Sequence, residues 1–173
     1  MYTMRFRYRF EAAHRFTQTE SLKCSTPHGH SWYATLALKS LQEGRNPRTE
    51  MVEEFSTLKS EWKRFVEETL DHSFFHHHQD PILSALKEHV PDFRGLAFPG
   101  DPTTELIAAL LFKKARALLS SHSGFGKSFE VHSIILEETP TNTIVYENEV
   151  KVGSDDPKQW WNDSNPESRN FFI

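Results

Sequence analysis

Three histidines and the only cysteine fall between residues 14 and 30: His14, Cys24, His28 and His30. Imidazole and thiolate are common zinc ligands, and a thiol beside a metal can also serve as base or nucleophile. His28 and His30 flank Gly29. In a strand, residues two apart point to one face, so both imidazoles project side by side, with Gly29 on the other face. Glycine has no Cβ, so a neighbouring backbone or a ligand can come close there. Catalytic zinc takes three protein ligands and keeps a fourth position open. His14, His28 and His30 form such a set. A lone His-x-His is often only a core or surface feature, but the third histidine and Cys24 tip the balance toward a metal.

The elements that must position these groups are legible in the alternation. Tyr2, Met4, Phe6, Tyr8, Phe10 and Ala12 share one parity, and Thr3, Arg5, Arg7, Arg9 and Glu11 the other. This predicts a half-buried strand ending near His14, whose ring continues the apolar parity. A polar loop follows over Arg15–Pro27. A second strand is expected over His28–Lys39, with His28, His30, Trp32, Ala34, Leu36 and Leu38 on one face. Two strands thus bring three histidines to one covered face.

Downstream, a helix is expected over Phe55–Leu70, with Phe55, Leu58, Trp62, Phe65 and Val66 as its apolar stripe. Asp71-His72 follows; a carboxylate beside an imidazole can fix its tautomer, though such a pair is more often a cap or surface feature. His76–His78 reads as a solvated loop, because three consecutive side chains cannot all face one ion. Pro81–His89 reads as a short helix and Pro91–Gly100 as a loop. Pro102-Thr103-Thr104-Glu105 opens a helix running to about Leu119. Strands at Phe129–Glu137 and Thr143–Glu147 close the domain, with Glu138 at the end of the first. The expected organisation is one domain over residues 1–150 and a polar tail over 151–173. The tail, which carries Trp160-Trp161 and Phe171-Phe172, is either disordered or docks its aromatics on a neighbour.

Composition sets outer bounds. The chain has 173 residues, 14 of them Phe, with 37% hydrophobic residues and a net charge of −4. That is a globular composition with no sign of a nucleic-acid partner. A single cysteine rules out an internal disulfide framework and fits a reducing compartment. The N-terminus lacks the apolar core of a signal peptide, and no apolar run is long enough to span a bilayer. The expectation is a soluble, cytoplasmic protein with neither nucleic-acid nor membrane partners.

The chain resembles the 6-pyruvoyl-tetrahydropterin synthase and 6-carboxy-tetrahydropterin synthase family. The matching pieces, in the family's order, are Phe10-Glu11-Ala12-Ala13-His14, Cys24-x-x-x-His28-Gly29-His30, Val52-x-Glu54-Phe55-x-x-Leu58-Lys59, Leu70-Asp71-His72, Pro102-Thr103-Thr104-Glu105, and Glu138-Thr139 with Tyr146 further on. It departs from the family's usual pattern at Glu54 and at Phe75-His76. The resemblance implies an α+β tunnelling fold: an antiparallel four-stranded sheet with two helices on one face, in the order ββααββ. It implies a homohexamer, a dimer of trimers joined by sheet edges, with active sites between subunits. It implies Zn2+ on His14, His28 and His30, catalytic roles for Cys24, Asp71 and His72, and substrate contacts from Glu138, Thr104 and Glu105. The substrate implied is the pterin 7,8-dihydroneopterin triphosphate, with Arg15 among the candidates for holding the triphosphate. Three residues separate Cys24 from His28, a spacing similar to that of the 6-carboxy-tetrahydropterin synthases of queuosine biosynthesis. The reaction implied is a zinc-dependent lyase step giving 6-carboxytetrahydropterin, acetaldehyde and triphosphate. The alternatives are a 6-pyruvoyl-tetrahydropterin synthase, a dihydroneopterin aldolase-type activity, and a non-catalytic, zinc-stabilised, pterin-binding oligomer.

Overall fold

Strand β1 (Thr3–His14) alternates as its sequence does: Met4, Phe6, Phe10, Ala12 and His14 are buried, while Thr3, Arg5, Arg7 and Arg9 are exposed. In this computed structural model, which describes residues 1–42, 44–52, 54–120, 128–147 and 152–169, β1 pairs antiparallel with β2 (His28–Ser40). The register runs from Thr3 opposite Lys39 to His14 opposite His28. Between them lies a short helix, α1 (Leu22–Ser25), with Ser21 at its N-cap.

Helix α2 (Phe55–Phe65) buries Trp62 and Phe65. It then widens into a π-helical turn, Val66–Leu70, closed where the Asp71 N–H donates to the Val66 carbonyl at 2.9 Å. The chain continues through β3 (Ser73–His77), α3 (Ile82–His89), β4 (Gly95–Phe98), α4 (Thr104–Ser120), β5 (Phe129–Thr139) and β6 (Asn142–Tyr146). The stretch 121–127, the ends of the tail including Phe171-Phe172, and the side chains of Phe55 and Leu58 lie outside the described residues.

The sheet order is β4-β3-β1-β2-β5-β6. The four antiparallel strands expected from the sequence are present as β1-β2-β5-β6, but the sheet has six strands, not four. Two short parallel strands extend it beyond β1: Ala12–His14 pairs with Ser73–Phe75, and β3 with β4. Both were hidden by their composition. His76-His77 looks like solvated loop, yet His76 is buried in β3 between the rings of Phe74 and Phe93. The region around Gly95 looks like loop because of its glycines and prolines. There a side chain would crowd its neighbours: a Cβ at Gly95 would lie 2.6 Å from the Phe93 ring, which would have to shift. The described residues also hold four α-helices rather than two.

One sheet face carries the core, where Phe6, Trp32, Leu36, Ile134 and Leu136 meet Trp62 and Phe65 of α2 and Ile107, Leu111 and Leu118 of α4. The opposite face is polar. There Arg7 forms a two-pronged pair with Glu137 at 2.9 and 3.0 Å and lies over the Tyr33 ring.

The tail docks on its own chain. Trp160 and Trp161 are fully buried, and the Trp160 indole N–H donates to the Ala97 carbonyl at 2.8 Å. Lys114 of α4, also fully buried, gives hydrogen bonds to the carbonyls of Asp163 and Asn165, both at 2.7 Å. Burial pulls this ammonium down to about 8, against the attraction of Asp163. No helix among the described residues is long and apolar enough to cross a membrane.

Candidate metal centre

The β1–β2 register puts His14 opposite His28, and Ala12 opposite His30. Strand pleating aims the three imidazoles at one space. One nitrogen from each lies within 4.8 Å of the others, and no other group of metal-binding side chains forms among the described residues. Trp32 stands beside them, with ring centroids 5.2 Å from His14 and 5.4 Å from His30. Its indole N–H donates to the Ala12 carbonyl at 3.1 Å, fixing the floor of the site.

Backbone carbonyls set two of the tautomers. The His14 Nδ1–H donates to Pro102 O at 3.0 Å, and the His28 Nδ1–H to Thr26 O at 2.8 Å. In each ring this leaves Nε2 as the lone-pair atom, the usual arrangement behind a metal ligand. His14 Nε2 is buried with no hydrogen-bond partner among the described residues. A buried nitrogen without a partner is costly unless something completes it, and a bound cation would do so. Burial drives His14 down to about 4, only partly offset by the Pro102 carbonyl, and burial also lowers His30. Both are therefore neutral near pH 7, the form that binds metal. The donor set fits a divalent ion of the zinc type.

Glu138 reaches the same space. Its Oε1 is 3.6 Å from His14 Nε2 and 3.9 Å from His30 Nε2. The sequence placed Glu138 at a strand end but gave no sign that it meets the histidines. Cys24 is partly buried on α1 and is not bound in a disulfide; its thiol is outside the cluster of metal-binding atoms. Its backbone is tied to the strand end, where the Phe16 N–H donates to Cys24 O at 2.8 Å.

Asp71 and His72 form the pair read from the sequence. Asp71 Oδ2 accepts from His72 Nδ1 at 2.7 Å, and Asp71 Oδ1 accepts from the Glu11 N–H at 2.8 Å. Burial alone would raise the Asp71 carboxyl, but the Glu11 amide, His72 and Arg94 together hold it below its usual value. His72 has a φ of 57°, in the left-handed region, and its side chain is 74% exposed.

Two clefts meet at His30. One, of about 590 Å³, is lined by His30, Gly29, His72, Phe74, Phe93 and Arg94; the other, of about 660 Å³, by His30, Gly29, Arg9, Tyr33 and Glu138. A Cβ at Gly29 would meet Ala12 O at an ordinary 3.6 Å. The glycine therefore matters more for keeping both clefts open than for strand packing.

Other sequence candidates fall outside the two clefts, Cys24 among them. Thr104 is buried in the first turn of α4 and Glu105 is exposed; neither lines the two clefts. From that motif it is the Pro102 carbonyl that reaches the site, a contact no side-chain pattern could disclose. Arg15 is turned toward buried Asp80, with Nε 3.4 Å from Oδ2.

The 6-pyruvoyl tetrahydropterin synthase family model matches residues 3–149. A 6-carboxy-5,6,7,8-tetrahydropterin synthase of Rickettsia felis is 28% identical over 134 residues, 78% of this chain and 91% of the relative. The structure is similar to that of an uncharacterised protein of Wolinella succinogenes, with a TM-score of 0.68 and 24% identity, covering 86% of this chain and 98% of the other. It is also similar to the 6-pyruvoyl tetrahydropterin synthase of Caenorhabditis elegans, with a TM-score of 0.58 and 23% identity, covering 86% and 96%. At these identities the structural likenesses speak for the fold alone.

Proposed function

The chain belongs to the 6-pyruvoyl tetrahydropterin synthase family, and from that premise we propose that it is a zinc-dependent 6-carboxy-5,6,7,8-tetrahydropterin synthase. In this reading it converts 7,8-dihydroneopterin triphosphate and one water to 6-carboxytetrahydropterin, acetaldehyde and triphosphate, in the cytoplasm, as a step toward queuosine. The observation that carries it is the convergence of three imidazoles, the Glu138 carboxylate and the Asp71–His72 pair on clefts that meet at one histidine. The three-residue gap from Cys24 to His28 and the name of the Rickettsia relative favour the carboxy product over the pyruvoyl one.

His14, His28 and His30 would hold the ion. Bound there, zinc would supply Lewis acidity that makes the side-chain hydroxyls and carbon protons of the substrate more acidic. Cys24 acts as the base that takes a proton from the pterin side chain; its thiolate is the reactive form. Asp71 orients the His72 ring through Nδ1, leaving Nε2 to exchange protons with substrate in the first cleft. Glu138 accepts hydrogen bonds from the ring N–H groups of the pterin, a match suited to a carboxylate. Thr104 and Glu105 remain substrate-contact candidates by family resemblance only, at the start of the helix that follows the Pro102 carbonyl.

The test is to incubate the zinc-loaded chain with 7,8-dihydroneopterin triphosphate and weigh the products. A 6-carboxyl product with acetaldehyde is expected. A diketo side chain would move the chain to the pyruvoyl branch, and an intact substrate would leave a binding protein. Cys24→Ala is expected to keep zinc and ligand while turnover falls at least about a hundredfold. Undiminished turnover would remove Cys24 as the base.

A further inference from the structure

The turn that carries Asp71 and His72 is gripped by a part of the chain that the family model does not reach. That model ends at residue 149, and the docked strap occupies residues 152–169. The turn closes a helix, so its last carbonyls have no partners within the helix. Here they find them outside it. The Glu68 carbonyl receives Arg94 Nη2 at 2.8 Å and also Arg169 Nη2. The Asp71 carbonyl receives Arg94 Nη2 at 3.2 Å. Ser73 Oγ donates to the Thr69 carbonyl at 2.6 Å and accepts from Arg169 Nη1 at 3.0 Å. The Thr69 hydroxyl in turn donates to the strap's Pro166 carbonyl at 2.6 Å.

One guanidinium therefore bridges both sides of the catalytic pair, from Glu68 before it to Ser73 after it. The planar fork of arginine suits this, since it can hold two acceptors in a fixed geometry. Between the two anchor points sits His72, whose left-handed backbone persists only where its surroundings over-determine it. Arg169 stands close enough to Arg94 for their charges to oppose each other, and burial with that repulsion lowers it to about 10. Cations at the C-terminal end of a helix are favoured by its dipole, which offsets part of that repulsion.

We propose that Arg169 is a positioning residue. Its guanidinium, bridging the Glu68 carbonyl and the Ser73 hydroxyl, fixes the turn that aims His72 into the cleft beside His30. The proposal rests on the assignment of Asp71 and His72 as the proton relay.

The test compares full-length, zinc-loaded Arg169→Ala and Arg169→Lys with the unaltered chain. For Arg169→Ala we expect kcat to fall about tenfold with KM within about twofold, because a relay loosened by a fraction of an ångström loses rate rather than binding. Zinc content should not change. Arg169→Lys, which can reach one acceptor but not fork to two, should recover only part of the rate, and millimolar guanidinium should restore some of the rate of Arg169→Ala. Amide hydrogen exchange adds a readout free of turnover: exchange at residues 71–74 should quicken about tenfold in Arg169→Ala while β2 amides stay as they were. Unchanged exchange at 71–74, or a rate loss matched by zinc loss, would overturn the proposal. If the unaltered chain has no lyase activity, the functional reading fails, and the exchange measurement still decides whether Arg169 holds the turn. Should Arg169→Ala fail to fold, Arg169→Lys with the same exchange measurement makes that decision.

Discussion

At the scale of single residues, His14 bears the most weight. Its ring is fully buried, donates through Nδ1 to Pro102 O, and leaves Nε2 facing His28 and His30. Burial holds it down to about 4 from an ordinary 6.5. Between those values the unfolded chain takes up a proton that the folded chain refuses. Metal-free protein should therefore lose stability as pH falls from 6.5 toward 4, by a few kcal/mol at about 1.4 kcal/mol per unit. Denaturant titrations across that range check this; a flat profile would mean that His14 is not held neutral. His14→Ala should abolish stoichiometric zinc uptake, measured by elemental analysis, while His76→Ala should leave it intact. The three ligand candidates were legible because their spacing coincides with strand parity. Pattern alone read Glu138 as a carboxylate at a strand end, and the family resemblance gave it a substrate contact but no place beside the histidines. Its approach to His14 depends on β5 lying beside β2, a pairing no local pattern encodes.

At the scale of elements, the long alternating strands and amphipathic helices were readable, and the short parallel strands were not. Runs of four or five residues carry too few turns of a period to announce themselves. β3 and β4 form because Phe75, Leu96 and Phe98 find the core, and the pairing follows. The π-helical turn before Asp71 was equally invisible, and so were the distant partners, Pro166 and Arg169, that meet its polar groups. The strap is expected to contribute stability as well as position. Trp160→Ala removes a buried indole packed on Phe65 and Phe98 and leaves the Ala97 carbonyl without its donor. It should cost roughly 3–5 kcal/mol in equilibrium unfolding. A loss under 1 kcal/mol would mean that the strap is only loosely seated.

At the scale of the whole molecule, the sheet ends in two unlike edges. β6 closes one side. On the other, β3 covers β1 only over Ala12–His14, so most of the outer edge of β1 has no strand beside it among the described residues. Unpaired edges of this kind invite pairing with another chain. Association of several copies through these edges is accordingly expected, with a sedimentation mass several times the 20.1 kDa of one chain. A fully active species of single-chain mass would contradict it. The strap has a different consequence, in chain order rather than in space. All six strands and the three clustered histidines precede Arg169. The sheet and the histidine cluster therefore borrow no residue from the clasp, whereas the turn holding His72 does. If the clasp acts as proposed, damage confined to it would leave a chain that still takes up metal yet moves protons poorly.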